Sequence, residues 1–191
     1  MVRNTVLLSL ALALVAGCSK PVPDNSVTTA AAPTSSAAKA AGSDTIAKGF
    51  AGMAGDTKFI AAIKSAGMEP TFAGPGPYTV LVPDDNAFLR MPPGALDGIM
   101  KPGEKKKLVR LLTMHVLPGT ILSADIANAI DAHGGTAKLM TMAGEPIKAT
   151  KNGDKILLTD ASGDKAVITT ADAKRSNGVV HQIDGVLIPK G

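Results

Sequence analysis

The sequence predicts an α+β fold in a single domain of about 150 residues, a length that supports one ordinary hydrophobic core. Three observations carry that reading. Apolar residues recur at helical intervals up to about residue 132, short β-rich runs separated by turn chemistry fill the remainder, and no internal repeat is evident. Helices first and antiparallel strands afterwards argue for an α+β domain.

Taken in order, residues 44–53 and 56–68 each show helical spacing, as in Phe59, Ile60 and Ile63, with Asp44 and Asp56 available as N-caps. The Gly74-Pro75-Gly76-Pro77 run breaks the chain, and residues 78–82 after it form a buried strand that Pro83 ends. Asp84 then stands as the N-cap of a short helix through Arg90, with Asp85 adding negative charge at the positive end of that helix. Capping explains this Asp pair better than carboxylate catalysis, because neighbours at a helix start do not converge on one substrate atom. Residues 104–115 hold the strongest helical stripe, with Leu108, Leu111, Leu112 and His115 at i, i+3, i+4 and i+7. Lys105, Lys106 and Lys107 occupy its opening turn, the wrong end for the dipole, and read as a solvated face. Pro118-Gly119 stops the helix, and a further one runs over residues 123–132 with Ser123 as cap and Ile126 and Ile130 inward. Strands are expected at 137–142, 146–150, 155–159, 166–170 and 179–188, joined by Asn152-Gly153, Ser162-Gly163-Asp164 and Asn177-Gly178 turns.

The front of the chain is of another kind. Arg3 is followed by about ten apolar residues and then by Val15-Ala16-Gly17-Cys18, too short to span a bilayer and ending in small residues, as a secretory signal does. The Val-Ala-Gly-Cys ending resembles a bacterial lipobox, which implies a signal peptide over residues 1–17 and a diacylglycerol thioether on Cys18. Cys18 is the single cysteine, so an internal disulfide is excluded. Two or three acyl chains on one residue would anchor the protein stably. Ser19 stands where the resemblance would place Asp in lipoproteins retained at the inner membrane, which leans toward the outer membrane in a two-membrane envelope. Residues 18–42 are rich in Ala, Ser, Thr and Pro, without aromatic residues or periodicity, and are expected to be a disordered spacer. A soft linker of that length has an end-to-end distance of about 25 to 30 Å.

The whole chain has a net charge of +4, yet beyond Gly42 the count is 17 basic against 15 acidic residues. With no Trp, one Tyr and no basic stripe in the sequence pattern, the domain lacks the footprint of a nucleic-acid binder.

Three segments then stand out: Tyr78 to Phe88 (Tyr-Thr-Val-Leu-Val-Pro-Asp-Asp-Asn-Ala-Phe), Leu111 to Gly119 (Leu-Leu-Thr-Met-His-Val-Leu-Pro-Gly) and Ser176 to Pro189 (Ser-Asn-Gly-Val-Val-His-Gln-Ile-Asp-Gly-Val-Leu-Ile-Pro). In order and spacing they resemble the signature segments of the fasciclin (FAS1) domain, over residues 43–191. The resemblance implies a β-wedge with N-terminal helices packed on it, and adhesion or recognition in place of catalysis. Its motif residues here are Asp84, His115, Asn177 and His181. A Tyr commonly precedes the middle His in the family, and Met114 stands there, so any role of that phenol is not carried over. Animal members have been linked to integrins through an Asp-Ile pair near the last motif. Here the nearest match is the reversed Ile183-Asp184, which is kept only as a candidate interaction surface.

His115 and His181 each interrupt an apolar run, the pattern of a core imidazole held by hydrogen bonds. His115 is expected to bond a backbone or carboxylate group near Asp84 or the final strand. His181 alternates with Val179 and Ile183 on an inward face, while Val180, Gln182 and Asp184 take a face open to partial exposure. His115, His133 and His181 are not in metal-ligand spacing, and no metal or other cofactor is expected. Ser36-x-x-Lys39 and Ser162-x-x-Lys165 fit an acylation pattern but fall in the spacer and in a turn, where nothing preorganises a nucleophile. Asp160-x-Ser162-x-Asp164 begins like a calcium loop, but Lys165 replaces the required Gly, and a turn is the better reading. Eight methionines beside five aromatic residues suit irregular core packing. Met91, Met100, Met114, Met140 and Met142 could instead line a groove for an apolar ligand, and some fasciclin-type proteins bind carotenoids. The expected function is therefore a non-enzymatic, lipid-anchored adhesion or matrix-recognition module of the cell envelope. Its expected partners are a cell-surface or matrix protein or glycan, besides the bilayer at Cys18. A carrier of a carotenoid or lipid is the alternative.

Overall fold

A computed structural model describes residues 44–53 and 55–190. The signal peptide, Cys18 and spacer expected at residues 1–42 lie outside the described residues. The helical half begins with α1 (Ile46–Phe50), capped by Thr45, whose side chain accepts from Lys48 N, and not by the expected Asp44. The Asp44 carbonyl instead accepts from Ser176 N, tying that residue to the last hairpin. Helix α2 (Thr57–Ala66) ends on Gly67, whose φ of 70° is the left-handed close that glycine favours. The Asp56 carboxylate does not cap it: Lys58 N and Thr57 Oγ1 both donate to Asp85 (2.8 and 2.6 Å). Helix α3 (Glu69–Ala73), the 3₁₀ turn Pro102–Glu104 and α5 (Ala95–Ile99) were not expected, being too short to show periodicity. Strand β1 (Tyr78–Pro83) and helix α4 (Asp85–Leu89), capped by Asp84, follow the expected pattern, as does α6 (Lys105–Met114), which buries Leu108, Leu111 and Leu112.

After α6 the chain forms a short strand β2 (Val116–Pro118), so the helix ends four residues before the Pro-Gly expected to stop it. Helix α7 (Ser123–Ala132) buries Ile126 and Ile130 as expected, but Leu122 is its N-cap and Ser123 its first helical residue. Then come β3 (Thr136–Met140), β4 (Pro146–Asn152), β5 (Lys155–Thr159), β6 (Lys165–Arg175) and β7 (Gly178–Ile183).

The seven strands form one sheet in the order β2-β1-β7-β6-β5-β4-β3. Its outer strands meet where Met142 N, beyond β3, donates to the Val116 carbonyl at 2.8 Å. All pairs are antiparallel except β1 and β7, which run parallel with Tyr78 opposite Gly178 and Pro83 opposite Ile183. The sheet is therefore mixed. A parallel pair needs a long crossover, and everything from α4 to β6 supplies it. Gly178 makes the pair fit: a Cβ there would run into the Tyr78 carbonyl, at a φ of 153°.

Two hydrophobic cores result. One gathers Phe50, Phe59, Phe72, Phe88 and Leu112 of the helices against Val80, Val82 and Val180; the other lies inside the sheet under α7, with Leu81, Met114, Leu117, Ile126, Ile147 and Leu158. Successive residues of β1 feed opposite cores, so its apolar run is continuous instead of alternating. Each large apolar side chain so buried contributes about 1.5 to 3 kcal/mol of transfer free energy, and edge-on contacts of Phe50 with Phe59 and Phe72 fix the geometry of the helical core.

Candidate functional site

The motif residues sit where chain segments distant in sequence must be joined. Asn177 is half of the two-residue loop between β6 and β7, where Arg175 pairs with Gly178. Its Oδ1 accepts from Ile46 N at 2.8 Å, and its Nδ2 donates to the carbonyls of Phe72 and Gly74, both at 2.8 Å. One amide thereby satisfies the free start of α1 and two carbonyls at the end of α3, while its own carbonyl accepts from Tyr78 N. Asp84 Oδ1 accepts from Ala87 N at 2.6 Å, and Asp84 N donates to the Ile183 carbonyl, fastening α4 to the end of β7.

Both motif histidines are fully buried. His115 Nδ1 donates to the Leu111 carbonyl (2.8 Å) and Nε2 accepts from Leu187 N (3.1 Å). His181 has the opposite tautomer, its Nε2 donating to the Ile121 carbonyl (2.9 Å) and its Nδ1 accepting from Asp172 N (3.1 Å). These partners require neutral rings. Burial pushes His115 down to about 4, against the opposing pull of the Leu111 carbonyl and the Asp160 charge, and burial likewise lowers His181. The His115 contact falls on the segment after β7, as expected, and not on Asp84.

With this geometry in place, likeness to known proteins becomes decisive: residues 54–189 match the model of the fasciclin domain. The chain belongs to the fasciclin domain family. It is 32% identical over 145 residues to protein sll1483 of Synechocystis sp. (strain ATCC 27184 / PCC 6803 / Kazusa), covering 76% of this chain and 73% of that one. It is 30% identical over 138 residues to transforming growth factor-beta-induced protein ig-h3 of Sus scrofa, covering 71% of this chain but 18% of the relative. With human periostin the figures are 32% over 114 residues, 60% of this chain and 12% of that one. The chain thus spans under a fifth of these two animal proteins. A structure described as a FAS1 domain pair from the insect cell adhesion molecule fasciclin I aligns with a TM-score of 0.47 and 19% identity, over 66% of this chain and 40% of that one.

In this fasciclin domain only Asp184 of the surface expected at Ile183-Asp184 reaches solvent, its side chain 29% exposed. Ile183 is fully buried because its face of β7 looks into the inner core. Val180 is buried too, while Gln182 and Asp184 are half-buried, so the face expected to be partly exposed opens only toward the end of the strand. Asp184 Oδ1 accepts from Val167 N at 2.7 Å and Oδ2 lies 3.5 Å from Arg90 Nη1, so this carboxylate is partly spent on the fold.

One polar group of the fasciclin domain, Asp172, was not singled out by sequence. Asp172 sits in the irregular stretch of β6 with a φ of 63°. Its carboxylate accepts from Ser123 N (2.8 Å) and Ser123 Oγ (2.5 Å), capping α7 from another strand. Ser123, Asp172 and His181 are triad residue types, but Ser123 donates to the carboxylate and both His181 nitrogens are occupied by backbone groups. No imidazole stands ready to take the hydroxyl proton, so this is not a nucleophile and base pair. Asp160 accepts from Ser162 N, Asp164 N and Ile188 N, which makes the 160–164 segment a turn, as expected, that also holds the chain end. The methionines do not converge on one groove: Met114 is in the inner core, Met91 and Met100 pack on the helical core, and Met140 and Met142 are exposed. A cleft of about 360 Å³ beside α7 is lined by Ser123, Lys151, Asp154 and Lys155 with Ile156 as its one large apolar residue, a poor match to an apolar ligand.

Proposed function

We propose that this fasciclin domain is an extracytoplasmic adhesion or matrix-recognition module, held to the cell envelope by lipidated Cys18 and binding a cell-surface or matrix protein or glycan without turnover. One observation carries the reading: the polar motif side chains are used up internally. Asn177, His115 and His181 each spend their side-chain donors and acceptors on backbone groups, at least one of them in a distant segment. A residue set used in this way makes a rigid scaffold, and recognition then falls to the surface it supports. That this chain matches only a small part of longer chains such as ig-h3 and periostin agrees with modular use. Ser19 after the cysteine favours the outer membrane in a two-membrane host.

Deleting the gene and scoring surface attachment and biofilm tests the adhesion reading; unchanged attachment across several surfaces would overturn it. Feeding cells a labelled fatty acid tests the anchor, since an unlabelled wild-type chain removes Cys18 from the account. A pull-down with the chain from Ser19 onward against envelope and matrix fractions identifies the class of partner.

A further inference from the structure

The outer face of strands β3 to β6 carries an unneutralised row of cations. Alternation points Leu139, Ile147, Ala149 and Leu158 into the inner core and turns the intervening residues outward. The register sets Lys138 opposite Lys148, Lys148 opposite Thr159, and Thr159 opposite Lys165. One row therefore reads Lys-Lys-Thr-Lys across four strands, about 14 Å at the usual strand spacing. Lys138 and Lys148 are like charges directly opposite, an arrangement that weakens a strand pair. All three lysines are exposed, and among the described residues none has a carboxylate within ion-pair distance. Lys151, by contrast, reaches Asp131 at 2.6 Å on the α7 side. The outward positions of β3, β4 and β5 hold no Asp, Glu or Arg, and Lys155 adds a further cation at the hairpin end. Beside the row, Met140 and Met142 follow the same alternation and are 54% and 48% exposed.

We propose that this face docks the domain onto an anionic bilayer surface. Lysine ammonium groups are hydrated point charges suited to the diffuse field of lipid headgroups, whereas planar bidentate recognition would call for arginine. The adjoining methionines decide between lipid and a soluble polyanion. A water-borne polymer leaves both thioethers in water, while the headgroup boundary accepts cations and apolar side chains together. The inference extends the adhesion reading by orienting the module, and it depends on the sheet face alone, with no role for Cys18.

The chain from Ser19 onward lacks Cys18 and contains every described element and both cores, so its sedimentation with vesicles isolates the face. It is expected to bind phosphatidylcholine vesicles containing phosphatidylglycerol, less so as salt rises, and to leave pure phosphatidylcholine vesicles largely unbound. The triple variant K138Q/K148Q/K165Q should lower the partition coefficient roughly a hundredfold, at about 1 kcal/mol per lysine near an anionic surface. K138R/K148R/K165R should bind as the wild type does, and M140S/M142S should weaken binding with the salt dependence unchanged. Equal binding to both vesicle types, undiminished binding by the glutamine variant, or no vesicle binding would each overturn the proposal. Capture of heparin without vesicles would overturn it as well and would reassign the row to a soluble polyanion. Attachment by cells carrying the glutamine variant is a separate readout, so loss of docking and failure of the adhesion reading are told apart.

Discussion

The His115 imidazole receives the Leu187 backbone N–H at 3.1 Å, joining the end of α6 to the segment after β7 across 72 positions of sequence. The ring sits where the two cores meet. It packs edge-on against Phe59 of the helical core, with centroids 5.7 Å apart, while Leu187 belongs to the inner core. His115→Ala would leave the Leu111 carbonyl and the Leu187 N–H without partners and open a void beside Phe59. The expected loss is about 3 kcal/mol, or roughly 10 °C in Tm for a chain of this size. An unchanged melting curve would reject the structural role.

Acid should weaken the fold through the same ring. Burial holds folded His115 at about 4, below its ordinary value of 6.5, so between these limits the unfolded chain binds the extra proton. The contribution is fully present above about 6.5 and is lost as pH falls toward 4, on the order of 3 kcal/mol in total. His181 is shifted in the same direction, also by burial. Asp56 runs the other way: burial, opposed by the Gln182 bond and reinforced by the Asp85 and Asp84 charges, raises its pKa above 3.8. Its contribution is present below 3.8 and is lost as pH rises through its folded value. Urea midpoints should climb from pH 4 to 6.5 in the wild type and climb less in His115→Gln. A flat wild-type profile over that window would contradict the buried neutral imidazole.

Asn177 offers a sharper chemical test. Asn177→Ala removes three hydrogen bonds, two of them fully buried, that connect α1 and α3 to the last hairpin, with an expected cost of about 3 kcal/mol. Asn177→Asp keeps an oxygen for Ile46 N but turns a second oxygen toward the carbonyls of Phe72 and Gly74. It should therefore stabilise no better than alanine, as read by chemical denaturation. If Asp restores wild-type stability, the amide is not the clamp.

Much of the helical half was readable from sequence because its signals are local: the leucine stripe of α6, the Asp84 cap and the inward isoleucines of α7 each act within two turns. The hairpins at Asn152-Gly153 and before Gly178 were readable for the same reason. The β1·β7 pairing was not, since no local signal tells a doubly buried parallel strand from an antiparallel one when both read as continuous apolar runs. Placing Ile183 at a surface failed on that point, for the residue opposite Pro83 points into the inner core. Among the site residues, His115 and Asn177 announced themselves by polarity inside apolar or turn contexts. Asp172 gave no such sign, because its role depends on a bulge that brings β6 to the start of α7.

Asp172 permits a prediction that separates backbone strain from capping. Its φ of 63° lies in the left-handed region, which costs most side chains about 1 kcal/mol and which Asn, Asp and Gly tolerate best. Its carboxylate also accepts two hydrogen bonds from Ser123 at the start of α7, a capping contact of about 1 to 2 kcal/mol. Asp172→Asn keeps the backbone tolerance and one acceptor, Asp172→Gly keeps only the tolerance, and Asp172→Ala keeps neither. Stability should fall in the order Asp, Asn, Gly, Ala, with alanine about 2 to 3 kcal/mol below the wild type. Combining Asp172→Asn with Ser123→Ala should cost less than the two separate losses, because both act on one bond. Should alanine match glycine, the left-handed backbone is not strained in solution; should the two losses simply add, Ser123 and Asp172 do not hold each other there.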